Sequence, residues 1–203
     1  MKPEDIEKMS FDIIEQEAGD HGYPKNTWPI VRRMVHTSAD FDYITQVRFH
    51  PAAVEKGIQA IKAGKNIVTD TTMALSGIRK KSIERFGGKV ICHVADPLIA
   101  KQAVEKGMTR AKLAVDAAVQ DMEGGIYVVG NAPTALLRLM ELIVEKKAAP
   151  ALVIGFPVGF VNAAESKAKL MELDIPHITN VGRKGGSNIA ASVVNALIIM
   201  AEK

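Results

Sequence analysis

The chain has 203 residues, 47% of them apolar, enough to bury one good core in a single domain over 1–203. Its 26 basic and 23 acidic side chains give a formal charge of +3 and are interspersed, with no basic stripe or stacking aromatics, so nucleic acid is not an expected partner. No apolar run of about eighteen residues exists, Met1 to Ser10 carries three acidic residues where a secretory signal needs basic ones, and Cys92 is the only cysteine; the expectation is a cytoplasmic protein without a membrane segment or a disulfide.

In chain order, helical periodicity covers roughly Pro3 to Ala18, Pro24 to Ala39 and Pro51 to Ala63, which read as an N-terminal helical extension. Short β-branched runs follow at Asn66 to Thr69, Lys89 to Val94, Ile126 to Val129, Ala151 to Ile154 and His177 to Val181. Cys92 falls inside the second run and reads as a buried, inert thiol. Helix-like segments separate the runs, such as Ala132 to Lys147 with Leu136, Leu139, Met140 and Ile143 on one face. Strands alternating with helices of ten or more residues imply right-handed crossovers. The expected fold is α/β, a Rossmann-like parallel sheet of about five strands covered by helices on both faces.

Ligands of open parallel sheets bind where strands hand over to helices. Four loops fall there. Asp70 to Met73 begins with a carboxylate suited either to orienting a ligand or to capping the next helix. Gly130 to Thr134 offers Asn131, and is also a good strand-to-helix junction. Gly155 to Phe160 displays Phe156, Val158 and Phe160, as a pocket wall or as core. Gly182 to Asn188 joins Arg183 and Lys184 to Gly185 and Gly186, with Ser187 able to cap the last helix; it suits an anion, or is a flexible turn. Neither a Walker A loop nor a G-x-G-x-x-G fingerprint is present, which disfavours ATP and NAD.

On the second helical segment, Trp28, Ile30, Val31, Met34 and Val35 form an apolar arc, while Arg32, Arg33 and His36 share the polar one. A histidine titrating near pH 6.5 beside two permanent cations is a candidate proton donor to an acidic substrate, or an incidental member of a solvated basic face. Continued helix would bring Asp40 one turn beyond His36, where it can orient the imidazole. His21, His50, His93 and His177 have no metal-ligand spacing, and no nucleophile elbow exists, so neither a protein-bound metal nor acyl transfer is expected.

The chain resembles the precorrin-8X methylmutase family of corrinoid biosynthesis, also called cobalt-precorrin-8 methylmutase, over nearly its whole length. The resemblance runs through Ser10-Phe11 with Ile13-Ile14, Arg33-Met34-Val35-His36, Asp70 with Met73 and Gly77, Thr109-Arg110, and Gly130-Asn131-Ala132-Pro133-Thr134-Ala135-Leu136. It continues through Gly155 to Val161, Ala164-Glu165-Ser166-Lys167, Gly182-Arg183 and Gly185-Gly186-Ser187. It implies an isomerase that moves a methyl group from carbon 11 to carbon 12 of a tetrapyrrole ring, with His36 exchanging the proton. It also implies substrate contacts at Ser10, Arg33, Arg110, Asn131, Gly185, Gly186 and Ser187, to which Asp70 is added as a ligand-orienting carboxylate. No cofactor is implied, any cobalt being carried by the substrate; the expected partners are the tetrapyrrole substrate and product, in a homodimer with the site near its interface. The alternatives are a corrinoid carrier, in which the pocket that the resemblance implies holds product for delivery, or a phosphate- or nucleotide-binding α/β transferase using the Gly182 to Asn188 loop.

Overall fold

A computed structural model describes residues 2–203. Helices α1 (Pro3–Ala18), α2 (Trp28–Ser38) and α3 (Asp42–Gln46) lead into β1 (Val47–Phe49), then α4 (Ala53–Lys62), β2 (Ile67–Thr69), α5 (Thr72–Gly77), α6 (Lys80–Arg85) and β3 (Val90–Ile91). Helices α7 (Pro97–Lys106) and α8 (Arg110–Ala117) precede the alternating β4 (Ile126–Val129), α9 (Pro133–Val144), β5 (Leu152–Gly155), α10 (Ala163–Met171), β6 (His177–Asn180) and α11 (Ser187–Ala201).

The strands make one sheet in the order β1-β6-β5-β4-β2-β3. The five expected strands are β2 to β6, all parallel to one another. A sixth, β1, adds antiparallel to β6 at the edge, with Val47 opposite Asn180. Three residues of strand between two helices carry too little period to be read in the sequence. The expected run Lys89 to Val94 shortens to Val90–Ile91, an edge strand with β2 as its one neighbour. Cys92 therefore lies past the strand end and is half-buried rather than buried mid-strand. Beside it His93 turns away to meet Asp121, Nε2 to Oδ2 at 2.7 Å.

Alternation along the strands feeds two cores. Ile126 and Val128 pack with α2, α4 and α11 on one face, whereas Tyr127 and Val129 pack with α8, α9 and α10 on the other. That two-sided burial is why the strands read as continuous apolar runs. Helix α11 is apolar nearly all round, burying Ile189, Val193, Val194, Leu197 and Ile198, so one sheet face cannot cover it. Helices α2, α4 and α5 supply the cover on its outer side. The N-terminal helices are thus a structural layer of the domain, not an appendage to it.

From β2 the chain steps to β3 on one side and then to β4 on the other, so the connections diverge between β2 and β4. The carboxyl ends beside such a switch point form the natural crevice of an open α/β sheet.

Candidate functional site

The loops after β2 and β4 meet at that switch point through Asp70. Its carboxylate is 2% exposed, and it accepts Gly130 N–H at 2.9 Å on one oxygen, with Asn131 N–H at 2.9 Å and Ala132 N–H at 2.8 Å on the other. Burial pushes its carboxyl above the usual carboxylate range while the three donors pull it back. Both oxygens are occupied, so the expectation that Asp70 touches substrate gives way to a different role. It holds the Gly130–Ala132 loop open at the start of α9. Capping of α5 falls instead to Thr71, whose hydroxyl accepts Ala74 N–H at 3.1 Å.

The β6–α11 connection returns across the sheet edge to the same place. Ser187 Oγ lies 2.8 Å from Thr71 Oγ1, and a Cβ built on Gly130 would stand 2.5 Å from Ser187 Cα. A side chain at Gly130 would therefore lift α11 off the β4 loop. Ser187 is the first residue of α11, and Gly186 is its N-cap at φ 126°, so the expected Ser187 cap is displaced by one position. Such a φ costs glycine little and other residues much. The first N–H groups of α11 lack intrahelical acceptors, and the helix dipole adds partial positive charge at this end. Asn131 keeps its side chain exposed beside them.

The glycine loop is tied from two directions. Lys167, fully buried in α10, donates to Asn180 Oδ1 at 3.2 Å and to the Lys184 carbonyl at 2.6 Å. Lys184 reaches the other way with its own ammonium, to Asp40 Oδ2 at 2.5 Å and Asp42 Oδ2 at 2.7 Å. These contacts hold Asp40 below and Lys184 above their ordinary ranges. Asp40 thus does not orient His36: Ala39 turns left-handed at φ 53° and ends α2, which sends Asp40 toward Lys184. The result couples the end of the histidine helix to the glycine loop. Neither Thr71 nor Lys167 nor this ion pair was legible as a site feature; T-T after a strand and A-E-S-K in the resemblance were the available signals.

His36 sits half-buried in the last turn of α2, its ring 5.1 Å from that of Phe11 on α1. Phe11 also lies under both guanidinium groups, 4.3 Å from Arg32 and 5.3 Å from Arg33. Glu15 takes Arg32 at 2.6 Å, and Glu7 takes Arg33 at 3.1 Å. Ser10 spends its hydroxyl on the Ile6 carbonyl of its own helix at 2.9 Å. A cavity of about 370 Å³ lies between α1, α2 and the C-terminal end of α11, with Arg32, Arg33, Arg79, Glu7, Glu202 and Phe11 in its wall; His36, one turn beyond Arg33, is not part of that wall. Arg32 Nε is buried there without a hydrogen-bond partner.

The remaining candidates divide. Val158 and Phe160 are exposed beside the glycine loop, where Arg183 lies over the Phe160 ring at 5.6 Å, but Phe156 is fully buried core and not wall. Exposed Met73 and Val161 extend the apolar display. Arg110 opens α8 on the opposite side of the sheet; Thr109 links that helix to the start of α9 through Thr134 at 3.4 Å, and no contact joins Arg110 to His36. Among the described residues no three of His, Cys, Asp and Glu group as a metal site, and no helix is long and apolar enough to cross a membrane.

Fold and site together define an α/β enzyme with a crevice at the carboxyl edge of its sheet, bordered by Arg183 and exposed apolar side chains, and a histidine-bearing helix tied to it through Asp40 and Lys184. The precorrin-8X methylmutase family profile matches residues 5–200. The chain is 45% identical to the cobalt-precorrin-8 methylmutase of Priestia megaterium over 202 residues, covering 100% of this chain and 90% of that protein. It is 43% identical to the cobalt-precorrin-8 methylmutase of Salmonella typhimurium, covering 97% and 95%. The solved precorrin-8x methyl mutase of Thermus thermophilus superposes with a TM-score of 0.90 at 45% identity, over 98% of this chain and 96% of that one. The chain belongs to the precorrin-8X methylmutase family and is an isomerase of cobalamin biosynthesis.

Proposed function

We propose that this isomerase converts (cobalt-)precorrin-8 to its corrin product, cobyrinate or hydrogenobyrinate, by a 1,5-sigmatropic methyl shift from carbon 11 to carbon 12, with His36 as the proton donor and acceptor. The observation that carries this reading is the placement of His36 against Phe11 on a helix whose Arg32 and Arg33 line a cavity and whose far end is tied through Asp40 to Lys184 of the glycine loop. The macrocycle is an apolar disc fringed with carboxylates. Val158, Phe160 and Met73 offer apolar surface, while Arg33, Arg183, Asn131 and the Gly185 to Ser187 turn offer donors to the fringe. Arg110 and Ser10 remain contacts under this reading only if the bound ring spans both sides of the edge or draws Ser10 from its intrahelical bond.

In the reaction the carbon 11–methyl bond breaks as the carbon 12–methyl bond forms, and no group enters or leaves. Protonation by His36 withdraws electron density from the conjugated ring, lowering the barrier by an amount typical of general acids, about 10²–10⁴-fold; the proton returns as the product tautomer is set. Holding the ring in one pose supplies more. Any cobalt arrives within the substrate, and no further cofactor takes part.

His36→Ala is expected to cut turnover at least about 10²-fold while its affinity for the corrin product stays within a few-fold of wild type. Absorption spectroscopy follows both, since the corrin chromophore appears only on turnover. Near-normal turnover in that variant removes His36 from the mechanism. The chain is further proposed to act in the cytoplasm as a homodimer with the site near the interface. Support comes from α1, the helix flanking His36, which exposes Ile6, Met9 and Ile13 on one face at about half of their area.

A further inference from the structure

We propose that Lys167 is a positioning residue of this isomerase: through the Lys184 carbonyl it sets the Gly185–Gly186 turn and the start of α11 as a receptor for substrate carboxylates. The inference rests on the methylmutase reading for the identity of that anion.

Lys167 lies fully buried on a helix whose neighbouring inward residues, Ala163, Ser166 and Leu170, are small or apolar. Among the described residues it has no carboxylate within ion-pair distance, and its acceptors are an amide oxygen and one backbone carbonyl. A buried ammonium without a counter-ion is costly, and an apolar side chain of similar volume would suit the fold better. Burial draws its pKa down to about 8, which leaves it mostly charged at neutral pH. The site therefore keeps a charge that the packing does not need.

What that charge touches explains its retention. The Lys184 carbonyl accepts both Lys167 Nζ at 2.6 Å and Asn180 Nδ2 at 3.0 Å. Asn180 also donates to the Val181 carbonyl, so the two side chains clamp the loop from beneath. The peptide whose oxygen they hold carries Gly185 N–H on its other side. Drawing electrons toward that oxygen strengthens the N–H as a donor, as in any hydrogen-bonded peptide chain. One residue on, Gly186 N–H is fixed to the Phe156 carbonyl at 2.9 Å, and α11 begins. Lys167 thus lies behind the anion-facing donors, and the ammonium of Lys184 is led away to Asp40 and Asp42.

The test is Lys167→Met, compared with wild type by steady-state kinetics on the tetrapyrrole substrate and by amide hydrogen exchange of the free protein. The expected result is KM raised about tenfold with kcat within about twofold. Exchange should speed up at 185–189 but not in α2, with thermal stability equal to or above wild type. Asn180→Ala, which removes the second donor to the same carbonyl, should raise KM in the same direction by less, and it decides the matter if Lys167→Met does not fold. A normally turning-over wild type alongside a Lys167→Met variant with unchanged KM and unchanged exchange would overturn the role of Lys167. For a variant that does not fold, unchanged KM and exchange in Asn180→Ala has the same force. Absence of turnover by wild type would instead overturn the methylmutase reading.

Discussion

Asp70 shows how a residue chosen for chemistry ends in architecture. A carboxylate accepting three backbone N–H groups inside the sheet edge is replaceable by very little, because every lone pair facing those donors is used. Asp70→Asn puts an NH₂ group where an acceptor stood and leaves at least one loop N–H buried and unpaired. The expected loss is about 2–3 kcal/mol of unfolding free energy, read from urea denaturation, together with weaker product binding. Unchanged stability would mean that the β4 loop is held by something else. His36 differs in kind: it is half-buried beside the Phe11 ring, and under the proposed mechanism its substitution should spare the fold and strike the reaction.

At the scale of elements, the site is made by the approach of α11 to the β4 loop. Gly130 permits that approach, since the nearest atoms to a built Cβ are the Cα and N of Ser187, backbone that cannot swing aside. Gly130→Ala should cost about 1–3 kcal/mol as the helix start is pushed outward. Product affinity should fall with it, measured by titration of the corrin absorption bands. Equal affinity in a destabilised protein would show that the first turn of α11 makes no contact with the ring. The ends of α2 and α11 are coupled as well, because Asp40 and Asp42 hold Lys184 across 144 and 142 positions of sequence. The end of the histidine-bearing helix is thus anchored to the glycine loop.

For the whole molecule, the question is how a 203-residue chain encloses a disc as wide as a corrin. The crevice lies open along one sheet edge, and the cavity near Arg33 holds about 370 Å³, at the low end of pockets for drug-sized ligands. A second copy seated near α1 would cover both the ring and the Ile6, Met9 and Ile13 face. Light scattering should accordingly give twice the 21.9 kDa chain mass at working concentration. A monomeric mass would leave the substrate half exposed and the proposed arrangement wrong.

By itself the sequence determined the layered α/β class and five of the six strands, because two-sided burial imprints continuous β-branched runs and α2, α9 and α11 carry strong apolar patterns. It also marked His36, the cationic arc and the glycine loop, since helical spacing and Gly-Gly punctuation are local properties. Tertiary structure alone decided what each of these faces. Asp70 turned inward onto a loop sixty residues away, Asp40 left His36 for Lys184, Phe156 went into the core, and Arg110 fell on the far side of the sheet. The physical reason is common to all four: a side chain's partner is set by which backbone donors, cations or apolar surfaces the fold brings within a few ångströms, and sequence spacing does not encode that distance.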